Sequence, residues 1–218
     1  MRARGLNRYA ALAGVVFVVL MVVAVVIGGE TPDNNDSVRK IVSFWRDNRN
    51  AQIWSSVIGA WATFFFVWFA ASVRSVLRRV EEGASRLSAI SFGGALIGAT
   101  GLLLLLSLSF AAADSVKDVS GNVTQTLTIL NNEIFFPIAV GYGLFFLATG
   151  ILSVGTKVLP AWLGWPAIVI GVVCITPAGF FALLAGVLWI LIASIVLYLR
   201  EGAPTDTASR AEPAAPAV

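Results

Sequence analysis

The chain of 218 residues is 58% hydrophobic and only 12% charged, with a formal net charge of +3 and a pI near 9.4. A water-soluble fold of this length needs a large polar surface, so this balance excludes an ordinary soluble domain and favours a lipid environment. The apolar runs are continuous, whereas a transmembrane β-barrel alternates in segments of roughly ten residues. The composition therefore predicts an all-α fold, a polytopic membrane helix bundle.

The composition also disfavours several kinds of chemistry. There is no histidine, which is the commonest metal ligand and the usual near-neutral general base. A single cysteine, Cys174, cannot form an intramolecular disulfide. The basic residues are dispersed over short connectors without a nucleic-acid-binding motif. We therefore expect no nucleic-acid partner, no cofactor, no metal and no catalytic residue.

The first apolar run covers residues 9–28 and follows Arg2, Arg4 and Arg8. A secretory signal peptide has a shorter apolar region of about 7–15 residues. This run is 20 residues long, and at about 1.5 Å per residue it spans a bilayer core of roughly 30 Å. We predict an uncleaved first span after a basic cytoplasmic N-terminus, residues 1–8.

A polar segment, residues 30–50, contains Val38, Ile41, Val42 and Trp45 at helical spacing. Either Asp36 or Ser37 could cap the start of this helix. One interpretation is an amphipathic helix on the membrane surface with Trp45 at headgroup depth. The alternative is a loop helix packed over the mouth of the bundle, and the sequence does not separate the two.

The second and third spans are predicted over residues 52–73 and 87–112. Trp54, Trp61 and Trp68 share one face of the second span because they are seven residues apart. This aromatic face serves packing or lipid contact, or stacks on a flat lipidic ligand. In the third span, Gly94 and Gly98 form a small-xxx-small pair that lets a neighbouring helix approach closely.

The remaining spans are predicted over residues 133–154, 160–175 and 179–199. The fourth helix is expected to begin as an extramembrane extension, with Pro137 either tolerated in its first turn or kinking it. The apolar stretch from Leu159 to Leu199 is too long for one span, and Pro177 breaks it in the middle. The transmembrane domain thus covers residues 9–200, and a disordered cytoplasmic tail, residues 201–218, follows.

The distribution of basic residues predicts the orientation. With six spans and a cytoplasmic N-terminus, ten of the 15 basic residues lie in the inner segments. They are Arg2, Arg4, Arg8, Arg74, Arg78, Arg79, Arg86, Lys157, Arg200 and Arg210. Because cytoplasmic loops are enriched in Lys and Arg, both termini are predicted to be cytoplasmic, in a multi-pass protein of the plasma membrane, which is the inner membrane of a bacterial cell.

Ionisable residues inside a bilayer are costly and tend to be functional, but here each lies in a loop or at a span end. The candidate site is therefore an outward-facing vestibule at the outer ends of the helices. Its predicted residues are Arg46, Arg49, Asp114, Asn132 and Glu133, above an interior lined by Trp54, Trp61 and Tyr142. Either arginine could pair with either acid. The alternative is a set of interfacial charges in water, with Glu133 favoured by a helix N-terminus.

Three short stretches carry a resemblance to a family of uncharacterised bacterial six-span integral membrane proteins. They are residues 44–49 (FWRDNR), the segment from Trp68 to Arg74, and residues 159–165 (LPAWLGW). The similarity covers residues 42–200. It implies a six-helix bundle in a bacterial inner membrane and carries no catalytic residue over to this chain.

These observations favour a non-enzymatic accessory, interaction or lipid-binding bundle. One alternative is a small-molecule permease that uses the vestibule and the break at Pro177. Another is a membrane-embedded enzyme that acts on a lipid or isoprenoid with Asp114 or Glu133 as the acid. The expected partners are the lipid bilayer and either a membrane complex or further copies of the chain.

Overall fold

A computed structural model describes residues 10, 12–81, 83 and 86–201 of the chain. Within this part the chain is helical and contains no strand, so the predicted all-α class is confirmed. The basic N-terminus, residues 1–8, and nearly all of the tail predicted to be disordered lie outside the described residues.

Eight helices are formed within residues 12–81 and 86–201. They are α1 (Ala13–Gly28), α2 (Val38–Asp47), α3 (Arg49–Arg78), α4 (Arg86–Ser115), α5 (Gly121–Glu133), α6 (Phe135–Thr156), α7 (Ala161–Val173) and α8 (Gly179–Glu201).

Four helical segments in the described part are long and apolar enough to cross a membrane by length and composition. They are α3, α4, α8 and the continuous stretch formed by α5 and α6, Gly121–Thr156. Helices α1 and α7 are apolar but shorter. The six apolar runs of the sequence therefore all form helices, and four of them reach bilayer length.

The six apolar helices run alternately up and down the bundle. Along α1 and α3, Gln52 Nε2 donates to the Gly28 carbonyl at 2.6 Å, while Phe17 and Phe66 have ring centroids 5.2 Å apart. The end of α1 thus lies beside the start of α3, and a residue nearer the start of α1 lies beside a later residue of α3. The two helices are therefore antiparallel. Gly14 in α1 lies against Ser194 in α8, which places the start of α1 and the end of α8 at the same end of the bundle.

Glycines permit the closest helix contacts. A Cβ placed on Gly94 would lie 2.7 Å from the backbone nitrogen of Phe145, and one on Gly141 would overlap the backbone of Gly98. The α4 and α6 backbones therefore touch, as the pair of glycines in the third span predicts. Gly150 and Gly171 bring α6 and α7 together in the same way.

The core of the bundle is aromatic. Phe66 lies next to Tyr142 and Phe145, with ring centroids 4.9 Å and 5.7 Å away. Trp189 of α8 packs edge-on against Phe146 at 5.4 Å, and its indole nitrogen donates to the Leu163 carbonyl at 2.8 Å. Aromatic side chains of α3, α6 and α8 thus pack together in one cluster.

A second, smaller core lies at the end of the bundle where α4 ends and α5 begins. Ile41 and Trp45 of α2 are fully buried there, together with Ala112, Ala113 and Val116. The side chain of Ser37 accepts a hydrogen bond from the Lys40 backbone and caps α2. Because the apolar face of α2 is covered by protein, the interpretation with Trp45 among lipid headgroups is wrong, and the packed loop helix is confirmed.

Proline positions agree with the predicted breaks. Pro137 lies in the first turn of α6, where a missing backbone N–H is tolerated. Helix α5 ends at Glu133, directly before α6, and the two form one continuous stretch. The fourth predicted span therefore begins with an extension, which is α5. Pro177 lies in the turn between α7 and α8.

The outside of the bundle is strongly apolar. Val26 is 76% exposed and Phe181 is 72% exposed, and large apolar side chains are exposed along the other apolar helices as well. Soluble proteins rarely expose apolar surface of this extent. The surface is suited to contact with lipid chains.

Candidate functional site

The residues predicted to form an outer vestibule lie at the end of the bundle occupied by α2 and α5. Arg49 forms an ion pair with Asp114 through its Nη2 and the Oδ1 atom. This pair joins the start of α3 to the end of α4. Of the predicted pairings between the two arginines and the two acids, the structure therefore contains the one between Arg49 and Asp114.

The other predicted residues form a separate polar network. Asn34 donates to Glu133 Oε1 at 2.8 Å, and Asn132 donates to Asn34 Oδ1 at 2.8 Å and to the Pro32 carbonyl at 3.1 Å. The network ties the loop after α1 to the last turn of α5. Arg46 is exposed on α2 and does not join this network.

The start of α2 has its own local ion pair. Lys40 Nζ lies 2.8 Å from Asp36 Oδ1, one helical turn away. The hydrogen bond from Lys40 lowers the pKa of Asp36 below its ordinary value. Such an exposed pair contributes little to stability because water screens it.

The aromatic lining predicted for the vestibule is wrong. Trp54 and Trp61 are 61% and 58% exposed on the outer surface of α3, whereas Tyr142 is buried between helices. The sevenfold spacing placed the tryptophans on one face, but that face points away from the bundle. The polar residues at this end therefore tie loops to helices and do not line an aromatic chamber.

An apolar cavity of about 140 Å³ lies deeper in the bundle. Its walls come from α1, α4, α6 and α8, and it is bounded by Phe17, Met21, Leu102, Ile138, Tyr142, Phe146, Leu183, Gly186, Val187 and Ile190. None of these ten residues carries a charge. A cavity with such walls favours an apolar molecule over an ion or a sugar.

Tyr142 lines this cavity and is the one lining residue with a hydroxyl group. This hydroxyl group is buried and has no hydrogen-bond partner within the part of the chain that the structure describes. Buried hydroxyl groups are nearly always hydrogen-bonded, because leaving one unsatisfied costs about 1–3 kcal/mol. The cavity therefore has apolar walls, and one of its lining residues, Tyr142, carries a buried hydroxyl group without a partner.

Among the described residues that line the cavity, Tyr142 is the one with a titratable side chain. The carboxylates of Asp114 and Glu133 accept hydrogen bonds at the end of the bundle occupied by α2 and α5. Sequence reasoning named Tyr142 but could not find the cavity, because its walls come from four helices. A tyrosine inside a run of small and apolar residues, 138–150, was the available signal.

Comparison with protein-family models, with curated proteins and with solved structures gives no match for this chain. The resemblance to bacterial six-span membrane proteins therefore stays a prediction.

Proposed function

We propose that the chain is an integral membrane protein whose six apolar helices cross the bilayer, with both termini on the cytoplasmic side of a bacterial inner membrane. In this proposal it is a non-enzymatic bundle that binds a lipidic molecule in the cavity beside Tyr142. The molecule is mainly apolar and carries one hydrogen-bond acceptor.

The alternating direction of the helices supports six crossings. Four helical segments have bilayer length, and α1 and α7 lie antiparallel to α3 and α6 along their glycine contacts. Arg74, Arg78, Lys157 and Arg200 all lie at the end of the bundle where α8 ends. A cluster of basic residues at one end is typical of the cytoplasmic side.

The observation that carries the binding function is the unsatisfied hydroxyl of Tyr142 in an apolar wall. A phenylalanine at this position would line the cavity equally well and would leave no hydroxyl group without a partner. A ligand carbonyl or ether oxygen would accept a hydrogen bond from the hydroxyl group, and apolar walls would hold the rest of the molecule. Partly apolar ligands reach such a cavity through the surrounding lipid.

The outer polar network weighs against the permease alternative. Asn34 bonds to both Asn132 and Glu133, and Arg49 bonds to Asp114, so these groups already have partners within the protein. The same bonds weigh against Asp114 or Glu133 as the acid of a lipid-processing enzyme. Neither acid is among the residues that line the apolar cavity.

A pair of matched probes tests the binding function. Methyl octanoate and undecane have the same number of non-hydrogen atoms, but only the ester offers an acceptor to Tyr142. We expect the ester to bind purified protein about 2–10-fold more tightly than the alkane, as one hydrogen bond of about 0.5–1.5 kcal/mol implies. In a Tyr142→Phe variant this preference disappears. Fluorescence displacement or thermal stabilisation in detergent measures both affinities.

The control is Thr100→Val, which removes a hydroxyl from an exposed position on α4 and should leave the preference unchanged. A second variant, Val187→Phe, fills the cavity and should weaken the binding of both probes. An ester preference that survives in Tyr142→Phe would contradict the proposed role of this residue.

Reporter fusions test the membrane placement independently of any ligand. Reporters after Lys117 and after Thr176 should be periplasmic, whereas one at the C-terminus should be cytoplasmic. A periplasmic C-terminal reporter would contradict six crossings with a cytoplasmic N-terminus.

A further inference from the structure

A basic groove lies at the end of α3. It has a volume of about 420 Å³ and is bounded by Ala71, Arg74, Ser75, Arg78 and Arg79. Three guanidinium groups thus line one open concavity within six residues of chain. Guanidinium groups bind phosphate through pairs of parallel hydrogen bonds, which makes arginine the preferred residue for phosphate recognition.

No described residue forms an ion pair with the arginines of this groove. Among the described residues, the ion pairs are those of Lys40 with Asp36 and of Arg49 with Asp114, and neither involves the groove. Arg74 lies over the ring of Phe92 at 5.1 Å, which holds one side of its guanidinium group against α4. The C-terminal end of α3 favours cations, but its carbonyl groups carry only partial negative charges and do not neutralise three guanidinium groups. An external anion is the partner that fits.

The surface next to the groove is apolar and aromatic. Trp61, Phe64 and Trp68 are 58%, 49% and 50% exposed on α3. The ring of Phe64 lies 5.8 Å from each of the two tryptophan rings, so the three form one continuous stripe. Residues 61, 64, 68, 71, 75 and 78 follow the three-and-four spacing of a single helix face. The aromatic stripe therefore leads directly into the basic groove.

We infer that this face of α3 binds an anionic phospholipid. The phosphate lies in the groove of Arg74, Arg78 and Arg79, and an acyl chain lies along the stripe of Trp61, Phe64 and Trp68. A soluble anion would use the groove alone, whereas a phospholipid uses both surfaces, which is why the lipid is the favoured occupant. The inference rests on the proposed membrane-spanning placement of α3, but it does not involve the cavity beside Tyr142.

The test uses the full chain in lipid nanodiscs or mixed micelles with phosphatidylglycerol or phosphatidylcholine as probes. Native mass spectrometry counts the lipids that stay bound. We expect the wild-type protein to retain phosphatidylglycerol in preference to phosphatidylcholine. Each Arg→Gln substitution in the groove should lower this preference roughly fivefold, which corresponds to about 1 kcal/mol for each charge near an anionic membrane surface.

Arg46→Gln is the matched control, because it removes the same charge from an exposed residue at the opposite end of the bundle. It should leave lipid retention unchanged. The charge-conserving variant Arg78→Lys keeps the cation but loses the paired hydrogen bonds, so it should lie between wild type and Arg78→Gln. Equal retention in wild type and in the variant lacking all three groove arginines would overturn the inference.

Two further measurements distinguish a lipid phosphate from free inorganic phosphate as the ligand of the groove. Inorganic phosphate should displace phosphatidylglycerol weakly, and a Trp61→Leu/Trp68→Leu variant should lose affinity for the lipid but not for phosphate. Displacement by phosphate at concentrations equal to those of the lipid would assign the groove to a soluble anion. Tyr142→Phe should retain normal phosphatidylglycerol binding, so a failure of the cavity proposal is distinguishable from a failure here. Reporter fusions reveal a failure of the membrane placement.

Discussion

Trp45 Nε1 donates a hydrogen bond of 2.8 Å to Thr128 Oγ1, and both side chains are fully buried. The Thr128 hydroxyl in turn donates to the Thr124 carbonyl at 2.9 Å. This chain of two bonds fixes α2 against α5, two elements that are 83 residues apart at the point of contact. A buried aromatic anchor with a satisfied N–H group thus holds α2 and α5 together.

Removing this anchor should loosen α2 specifically. Trp45→Phe loses one buried hydrogen bond and should cost about 1 kcal/mol, while Trp45→Ala also leaves a cavity and should cost about 3–5 kcal/mol. Hydrogen exchange of the α2 backbone amides measures the effect, because a small peripheral unit opens before the whole bundle does. Trp54→Ala is the control, since Trp54 is 61% exposed. Equal exchange rates in Trp45→Ala and wild type would contradict the anchoring role.

Close backbone contact between α4 and α6 predicts a large difference between two glycines. A Cβ on Gly141 would overlap the backbone of Gly98, whereas one on Gly93 would meet nothing within 4 Å. Gly141→Ala should therefore destabilise the bundle by about 1–3 kcal/mol or more, because the backbone cannot yield as a side chain can. Gly93→Ala should be neutral or slightly stabilising, since alanine favours the helix.

Thermal unfolding of the two glycine variants in the same detergent makes the comparison direct. Both substitutions add one methyl group to an apolar helix. The methyl group at position 141 meets the neighbouring helix, whereas the one at position 93 meets open space. A similar midpoint for both variants would show that α4 and α6 do not touch as described.

The sequence predicts the elements well and their contacts only in part. Long apolar runs and the break at Pro177 define helices because only a helix satisfies a lipid-exposed backbone within one segment. The capped, amphipathic pattern of α2 predicts a helix as well. The pattern does not identify the partner of its apolar face, because lipid headgroups and a protein groove both accept Ile41 and Trp45.

The candidate site was harder to predict because local sequence patterns do not identify the partner of a helix face. Gly94 and Gly98 predict a close helix contact, but nothing local identifies Gly141 as the residue opposite them. The three tryptophans at sevenfold spacing share a face, yet the pattern does not say whether that face points inward. The cavity beside Tyr142 depends on how four helices meet, which is a property of tertiary packing.

The carboxylate of Glu81 provides a prediction for pH dependence. It accepts hydrogen bonds from the backbone N–H groups of Leu87 at 2.6 Å and Ser88 at 3.1 Å, and so caps the start of α4. Partial desolvation acts to raise the pKa of Glu81, but the hydrogen bonds from Ser88 and Leu87 outweigh it and lower the pKa below its ordinary value of 4.5. Its contribution to stability is therefore present above pH 4.5 and is lost as the pH falls through the lowered pKa.

Thermal unfolding of wild type and Glu81→Gln between about pH 3 and pH 7 measures this contribution. We expect the variant to be less stable by about 1 kcal/mol near neutral pH, a typical value for a lost helix cap. The two proteins should converge as the pH falls. Asp118→Asn, at an exposed position, is the control and should keep the pH profile of wild type. A gap between wild type and Glu81→Gln that persists at the acidic end would contradict the capping role of the ionised group.

The shortness of α7 has a consequence for the surrounding membrane. Its 13 residues rise only about 20 Å, whereas the hydrocarbon core of a typical bilayer is roughly 30 Å thick. If α7 crosses the bilayer as proposed, either the hydrocarbon layer beside it is thinner or the turn at Pro177 lies within that layer. This hydrophobic mismatch costs a fraction of a kcal/mol for each ångström. The proposed placement of α7 therefore implies that the protein is most stable in membranes with short acyl chains.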